Sequence, residues 1–179
     1  MDQISSAQSI AARLQEHELS GSYLIAIDGL TGAGKTTLAD ALADLIGAEV
    51  VRVDDLSAPG VLPWEWERFL AEIWLPIRDG KQTSYRKHHW TLQEPGELAL
   101  VRSDRPVILE GVKSSLLQLR PYADFIVWVE TDLEIRIERA KARGAKRFEC
   151  WSTNWRPVEE EWARIEKPQL AADLVVSGE

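Results

Sequence analysis

The run Gly29-Leu30-Thr31-Gly32-Ala33-Gly34-Lys35-Thr36 carries the sharpest chemical signal in the chain. It satisfies the pattern G-x-x-x-x-G-K-[ST], with an apolar run before it that reads as a strand and a helical pattern after it. Gly29, Gly32 and Gly34 allow turns and close approaches that a Cβ would obstruct. The backbone from Gly29 through Thr31, Gly32, Ala33 and Gly34 to Lys35, Thr36 and Thr37 can then converge on phosphate oxygens at the positive end of the helix. Lys35 adds a mobile positive charge for the β- and γ-phosphates, and Thr36 a hydroxyl placed to ligate Mg²⁺. A glycine-rich turn that only capped a helix would need neither. The ligand this pattern implies is a nucleoside triphosphate, ATP first, with Mg²⁺.

Three carboxylates close short apolar runs. Asp54 and Asp55 follow Val50-Val51-Arg52-Val53, and Glu110 follows Val107-Ile108-Leu109. All three therefore fall at carboxyl ends of strands, where an open α/β sheet presents its ligand. Moving a phosphoryl group to an alcohol needs one carboxylate to accept or orient the hydroxyl proton and another acidic group to hold the metal, directly or through water. Asp54 is assigned the first role and Glu110, beside Thr36, the second, both facing the substrate. Asp55 reads better as a turn residue bonding backbone amides. Asp28, just before the cradle, fits either a strand-end turn or a contact to Lys35 or metal.

Between positions 136 and 147 the cations Arg136, Arg139, Lys141, Arg143, Lys146 and Arg147 stand against Glu138 alone, in a chain of net charge -8. Arg136, Arg139 and Arg143 recur three and four apart, so a helix presents them on one face with their forked donors toward phosphate oxygens. The expectation is a lid near residues 136–156, with Arg136 and Arg139 catalytic and Arg143 binding nucleotide; the competing reading is a solvated charged face.

The elements that must hold these groups alternate. Apolar residues at helical spacing predict a helix over 5–19. Tyr23 to Ile27 reads as a strand buried on both faces, and Lys35 to Ile46 as a helix stopped by Gly47. Strands are expected at Val50–Val53, Val107–Leu109, Phe125–Val129 and Asp173–Val176, and helices at Trp64–Arg78, beyond Asp132 and at Pro157–Lys167. Residues 80–105 have only a weak pattern and read as an irregular insertion with short strands. The predicted fold is α/β: a doubly wound parallel sheet of about five strands with helices on both faces, in a single domain covering residues 1–179.

Composition narrows the partners. Cys150 is the only cysteine, so neither an intrachain disulfide nor a cysteine metal cluster can form within the chain. The polar start does not read as a secretory leader, and no apolar run is long enough to span a bilayer. The acidic balance repels nucleic acid and anionic lipid. A cytoplasmic protein acting on a small-molecule acceptor is expected, without nucleic-acid or membrane partners, and with a homo-oligomer left open. Among eight tryptophans, Trp66 shares helical spacing with Leu70, Ile73 and Ile77 and Trp128 lies in a strand, which leaves Trp90 and Trp155 to face a ligand.

The stretches Ile25 to Thr37, Val53-Asp54-Asp55-Leu56, Val107 to Gly111 and Val129-Glu130-Thr131-Asp132 through Arg139 resemble, in order, the landmarks of the uridine kinase family of P-loop kinases. The likeness covers about residues 23–143. It implies a nucleoside/nucleotide kinase-like fold, Asp54 as the catalytic aspartate, Glu110 as the strand-end glutamate and Arg136, Arg139 and Arg143 as lid arginines. Where that family commonly carries a Tyr-Asp-aromatic element in its acceptor region, this chain has His88-His89-Trp90, which are therefore expected to contact the acceptor. Paired histidines without a third ligand do not read as a metal site. The function expected is transfer of the γ-phosphoryl of ATP to a hydroxyl of a small metabolite, a nucleoside such as uridine being the first to consider. The alternatives are a non-nucleoside alcohol, a nucleotide, or an ATP-binding regulatory protein that is no kinase.

Overall fold

A computed structural model describes residues 3–57, 64–88 and 96–179. After helix α1 (Gln3–Glu16), strand β1 (Leu24–Asp28) leads through the glycine-rich loop into α2 (Lys35–Ile46), then β2 (Glu49–Arg52) and a 3₁₀ turn (Val53–Leu56). A helix built of α3 (Trp66–Arg68), a π-turn (Phe69–Trp74) and α4 (Leu75–Arg78) precedes β3 (Thr83–Arg86), β4 (Leu98–Val101), β5 (Val107–Glu110) and β6 (Phe125–Glu130). The chain ends with α5 (Leu133–Ala142), α6 (Ala145–Cys150), a second π-turn (Trp151–Trp155), α7 (Arg156–Glu166), α8 (Pro168–Ala171) and β7 (Leu174–Ser177).

The main sheet has five parallel strands in the order β2-β5-β1-β6-β7. Because residues alternate faces along a strand, β1, β5 and β6 each feed two cores. Leu24, Val107, Leu109 and Trp128 join Phe69, Ile73, Ile77 and Trp162 on one side. Ile25, Ile27, Ile108, Phe125, Val127 and Val129 join Ile10, Leu14, Leu38 and Leu42 on the other. Burial on both faces is why these strands read as unbroken apolar runs. With β1 in the centre, the loop after it opens at the middle of the sheet's carboxyl edge, flanked by the ends of β5 and β6.

Differences from the expected boundaries have local causes. α1 stops before Leu19 because Glu18 takes a left-handed φ of 53°. Asp54 and Asp55 lie in the 3₁₀ turn, and Trp64 precedes its helix. Residues 80–105 contain a hairpin, with Thr83 to Arg86 antiparallel to Leu98 to Val101. The basic stretch is two helices, parted at Gly144 with φ 110°.

Candidate active site

The loop between β1 and α2 is shaped by left-handed residues: Gly32 has φ 86° and Gly34, the residue capping α2, has φ 99°. A Cβ on Gly32 would approach the Arg136 carbonyl oxygen to 2.9 Å, so α5 rests directly against the loop. The rear is closed further by Thr131, whose hydroxyl donates to the Ala33 carbonyl at 2.9 Å. Gly178 lies so close behind the loop that a side chain there would collide with the Ala33 carbonyl and the Thr131 hydroxyl.

Lys35 is buried, its ammonium donating to the Leu30 carbonyl at 3.1 Å. Burial pushes its pKa below the ordinary value, against the pull of Glu110, Asp28, Glu159 and Asp54. Thr36 and Thr37 are exposed in the first turn of α2, and the Thr36 hydroxyl donates to Glu110 Oε1 at 3.3 Å. The pairing of β1 with β5, Ile27 opposite Glu110, sets that distance. Burial raises the Glu110 pKa, while Lys35 and Arg52 oppose the rise, the latter with Nε 3.7 Å away. A hydroxyl and a carboxylate converging at the mouth of the cradle are the oxygen ligands that Mg²⁺ takes alongside phosphate, so these residues fit the ion.

A cavity of about 490 Å³ opens beside the loop. Thr31, Asp54 and Ser57 border it from the sheet side, Trp64 and Lys113 from the flank. Arg143, Arg147, Trp151, Trp155, Val158 and Glu159 form the opposite wall. Asp54 is exposed there and acts electrostatically on both Lys35 and Glu110. The Trp64 indole donates to the Lys113 carbonyl at 3.2 Å. That loop is in turn fixed by Asp28, fully buried, which accepts from the amides of Gly29, Lys113 and Ser115 and from the Ser115 hydroxyl.

The structure thus brings Lys35, Thr36, Asp54 and Glu110 to one edge, with Arg143 across the cavity. Arg136 and Arg139 lie elsewhere. Arg139 donates to the carbonyls of Gly32 at 3.1 Å and Gly178 at 2.8 Å, and Arg136 reaches the Thr31 carbonyl at 3.5 Å. Both brace the carbonyl side of the loop, and neither is among the residues lining the cavity. His88 is also turned away. Its Nε2 lies 3.0 Å from Glu65, its amide donates to the Asp55 carbonyl, and it does not border the cavity. His89 and Trp90 lie outside the described residues. Asp55 accepts from the Tyr85 hydroxyl at 3.1 Å and anchors the hairpin.

Sequence reasoning missed Glu159. Its carboxylate accepts from the Thr31 amide at 3.0 Å and the Thr31 hydroxyl at 2.7 Å. Nothing in Glu159-Glu160-Glu161 distinguishes the first glutamate except its place on the inner face of an amphipathic helix, one turn from Trp162. Trp151 and Arg147 also join the wall unforeseen as ligand-facing residues.

A central parallel sheet with a glycine-rich lysine loop at the end of its middle strand defines the P-loop class of nucleotide-binding folds. The family described as AAA domain matches residues 25–163, and the chain belongs to it. Its fold is similar to that of a chain from Bacillus stearothermophilus described as a possible uridine kinase, with a TM-score of 0.72 and 19% identity over 94% of this chain and 96% of that one. It is also similar to a chain from Silicibacter sp. TM1040 provisionally described as a fructose transport system kinase, with a TM-score of 0.62 and 20% identity over 98% and 99% of the two chains. No curated protein matches the chain at a significant level.

Proposed function

We propose that this protein is an ATP-dependent kinase that transfers the γ-phosphoryl group to a hydroxyl of a small metabolite. The observation that carries the reading is a phosphate cradle with the Thr36–Glu110 pair at its mouth, and beside it an exposed strand-end carboxylate, Asp54, which acts electrostatically on Lys35 and Glu110 and itself borders a cavity large enough for a metabolite. In this reading the loop amides and Lys35 hold the triphosphate, and Arg139 keeps the loop in shape by bonding the Gly32 carbonyl. Asp54 accepts or orients the proton of the attacking hydroxyl. Arg143 and Arg147 face the same space and offset charge as phosphate oxygens separate. Thr36 and Glu110 would hold Mg²⁺, which supplies charge neutralisation between phosphates when bound.

A nucleoside is the first acceptor to test. The supports are the resemblance of the motifs, the fold shared with the Bacillus chain and the tryptophans Trp64, Trp151 and Trp155 that line the cavity, suited to a flat ring. The cations Lys113, Arg143 and Arg147 around the cavity favour a second reading in which the acceptor is itself a nucleotide. The experiment is nucleotide consumption with Mg²⁺-ATP across nucleosides, nucleotides, sugars and other alcohols. One acceptor should accelerate turnover, and Asp54→Asn should lower kcat by about 10²–10⁴-fold. Turnover indifferent to every acceptor and unchanged in the variant would sink the kinase reading in favour of a regulatory ATP-binding protein.

A further inference from the structure

A carboxylate removed from water needs donors. Glu159 is 6% exposed and finds two in one residue, the amide and the hydroxyl of Thr31, 128 positions earlier in the chain. Among the described residues it forms no ion pair within salt-bridge distance; its influence on Lys35 and Arg136 is exerted at longer range. A bidentate, charge-assisted contact to a neutral residue of the cradle sets an orientation.

The other end of the contact is the cavity wall. Glu159 lies one residue beyond Val158 and four beyond Trp155, and both border the cavity. Three residues further, Trp162 is held by Trp128, ring centroids 6.3 Å apart. The neighbouring Glu160 reaches Arg136 at 3.9 Å and Arg156 at 3.7 Å. Arg136 in turn touches the Thr31 carbonyl. Thr31 is therefore gripped on both its donor and its acceptor side from the C-terminal third of the chain. Positions three and four apart on a helix share a face, so the carboxylate and the aromatic wall travel together.

We propose that Glu159 is a positioning residue: it fastens the tryptophan-lined wall of the cavity to Thr31 of the cradle, so that filling the cradle and filling the cavity are energetically coupled. The inference rests on the phosphoryl-transfer reading above, in which nucleotide occupies the cradle and the acceptor the cavity. Coupling of this kind is reciprocal: whatever nucleotide does to the wall, an acceptor on the wall does to nucleotide affinity.

Hydrogen exchange of the full chain with and without Mg²⁺-ADP tests it without relying on turnover. In wild type the probe should slow exchange at residues 29–37 and also at 151–166. In Glu159→Ala the first protection should persist while the second falls by roughly tenfold. Glu159→Gln should restore it, because the amide oxygen still accepts from the Thr31 amide and its NH₂ donates to the Thr31 hydroxyl. Full protection of 151–166 in Glu159→Ala, or a glutamine variant no better than the alanine one, overturns the proposal and leaves nucleotide binding standing. Absence of protection at 29–37 in wild type overturns the nucleotide reading and this inference with it.

Discussion

Four hydrogen-bond donors converge on Asp28, three of them from the loop after β5. Burial pushes its carboxyl above the ordinary 3.8, while the bonds from Ser115 and Gly29 and the charge of Lys35 pull it down. A raised folded pKa means the folded protein keeps this proton where the unfolded chain has lost it. The stabilisation is then full below 3.8 and disappears as pH rises through the folded value. Asp28→Asn cannot satisfy all four donors, because its NH₂ faces them with donors of its own. Urea denaturation should show a loss of about 2–4 kcal/mol, largest below pH 3.8 and narrowing as pH rises through the folded value. At this scale the sequence spoke clearly where chemistry has a fixed spacing. Lys35 and Thr36 follow from the loop pattern, and Glu110 from an apolar strand ending in a carboxylate. It left Asp28 open between two roles and hid Glu159, because a carboxylate's partner 128 residues away leaves no trace in its neighbours.

Pro76 shows how a local irregularity is absorbed by an element. Proline cannot donate to the carbonyl four residues back, that of Glu72, and would crowd it. The helix responds with the π-turn from Phe69 to Trp74, and the Glu72 carbonyl accepts from the Thr83 hydroxyl at 2.6 Å, stitching the hairpin to the helix. Thr83→Val keeps the shape and removes that donor. Thermal or urea denaturation should register a cost of about 0.5–1.5 kcal/mol. The three inner strands β1, β5 and β6 were legible because double-sided burial writes itself as apolar runs. β3 and β4 were expected only as short strands without fixed bounds, since each buries a single side chain, Tyr85 or Val101, and leaves neighbours such as Leu98 and Leu100 exposed. The basic stretch departs from its expected placement for a related reason. Spacing alone placed Arg136 and Arg139 over the ligand, while the packing of α5 against Gly32 turns their guanidinium groups to backbone carbonyls.

For the molecule as a whole, a ligand that binds only the folded state raises its stability by mass action. Mg²⁺-ATP at about a hundred times its Kd should add about 2.7 kcal/mol. For a chain of this length that corresponds to a rise in Tm of roughly 5–10 °C. Lys35→Ala, which removes the charge aimed at the phosphates, should abolish most of the shift with little change in the Tm of the free protein; an undiminished shift would place the nucleotide elsewhere. The strand order also governs how the molecule comes into being on the ribosome. The cradle is encoded beside β1, but β1 is the middle strand and its neighbours are β5 and β6. Ile25 waits for Phe125, roughly a hundred residues and about 5–20 s of synthesis later. The glycine-rich loop is thus made well before its surroundings are complete, and an emerging chain halted before β6 would carry the whole motif with β2, β5 and β1 but with the other flank of its central strand unpaired.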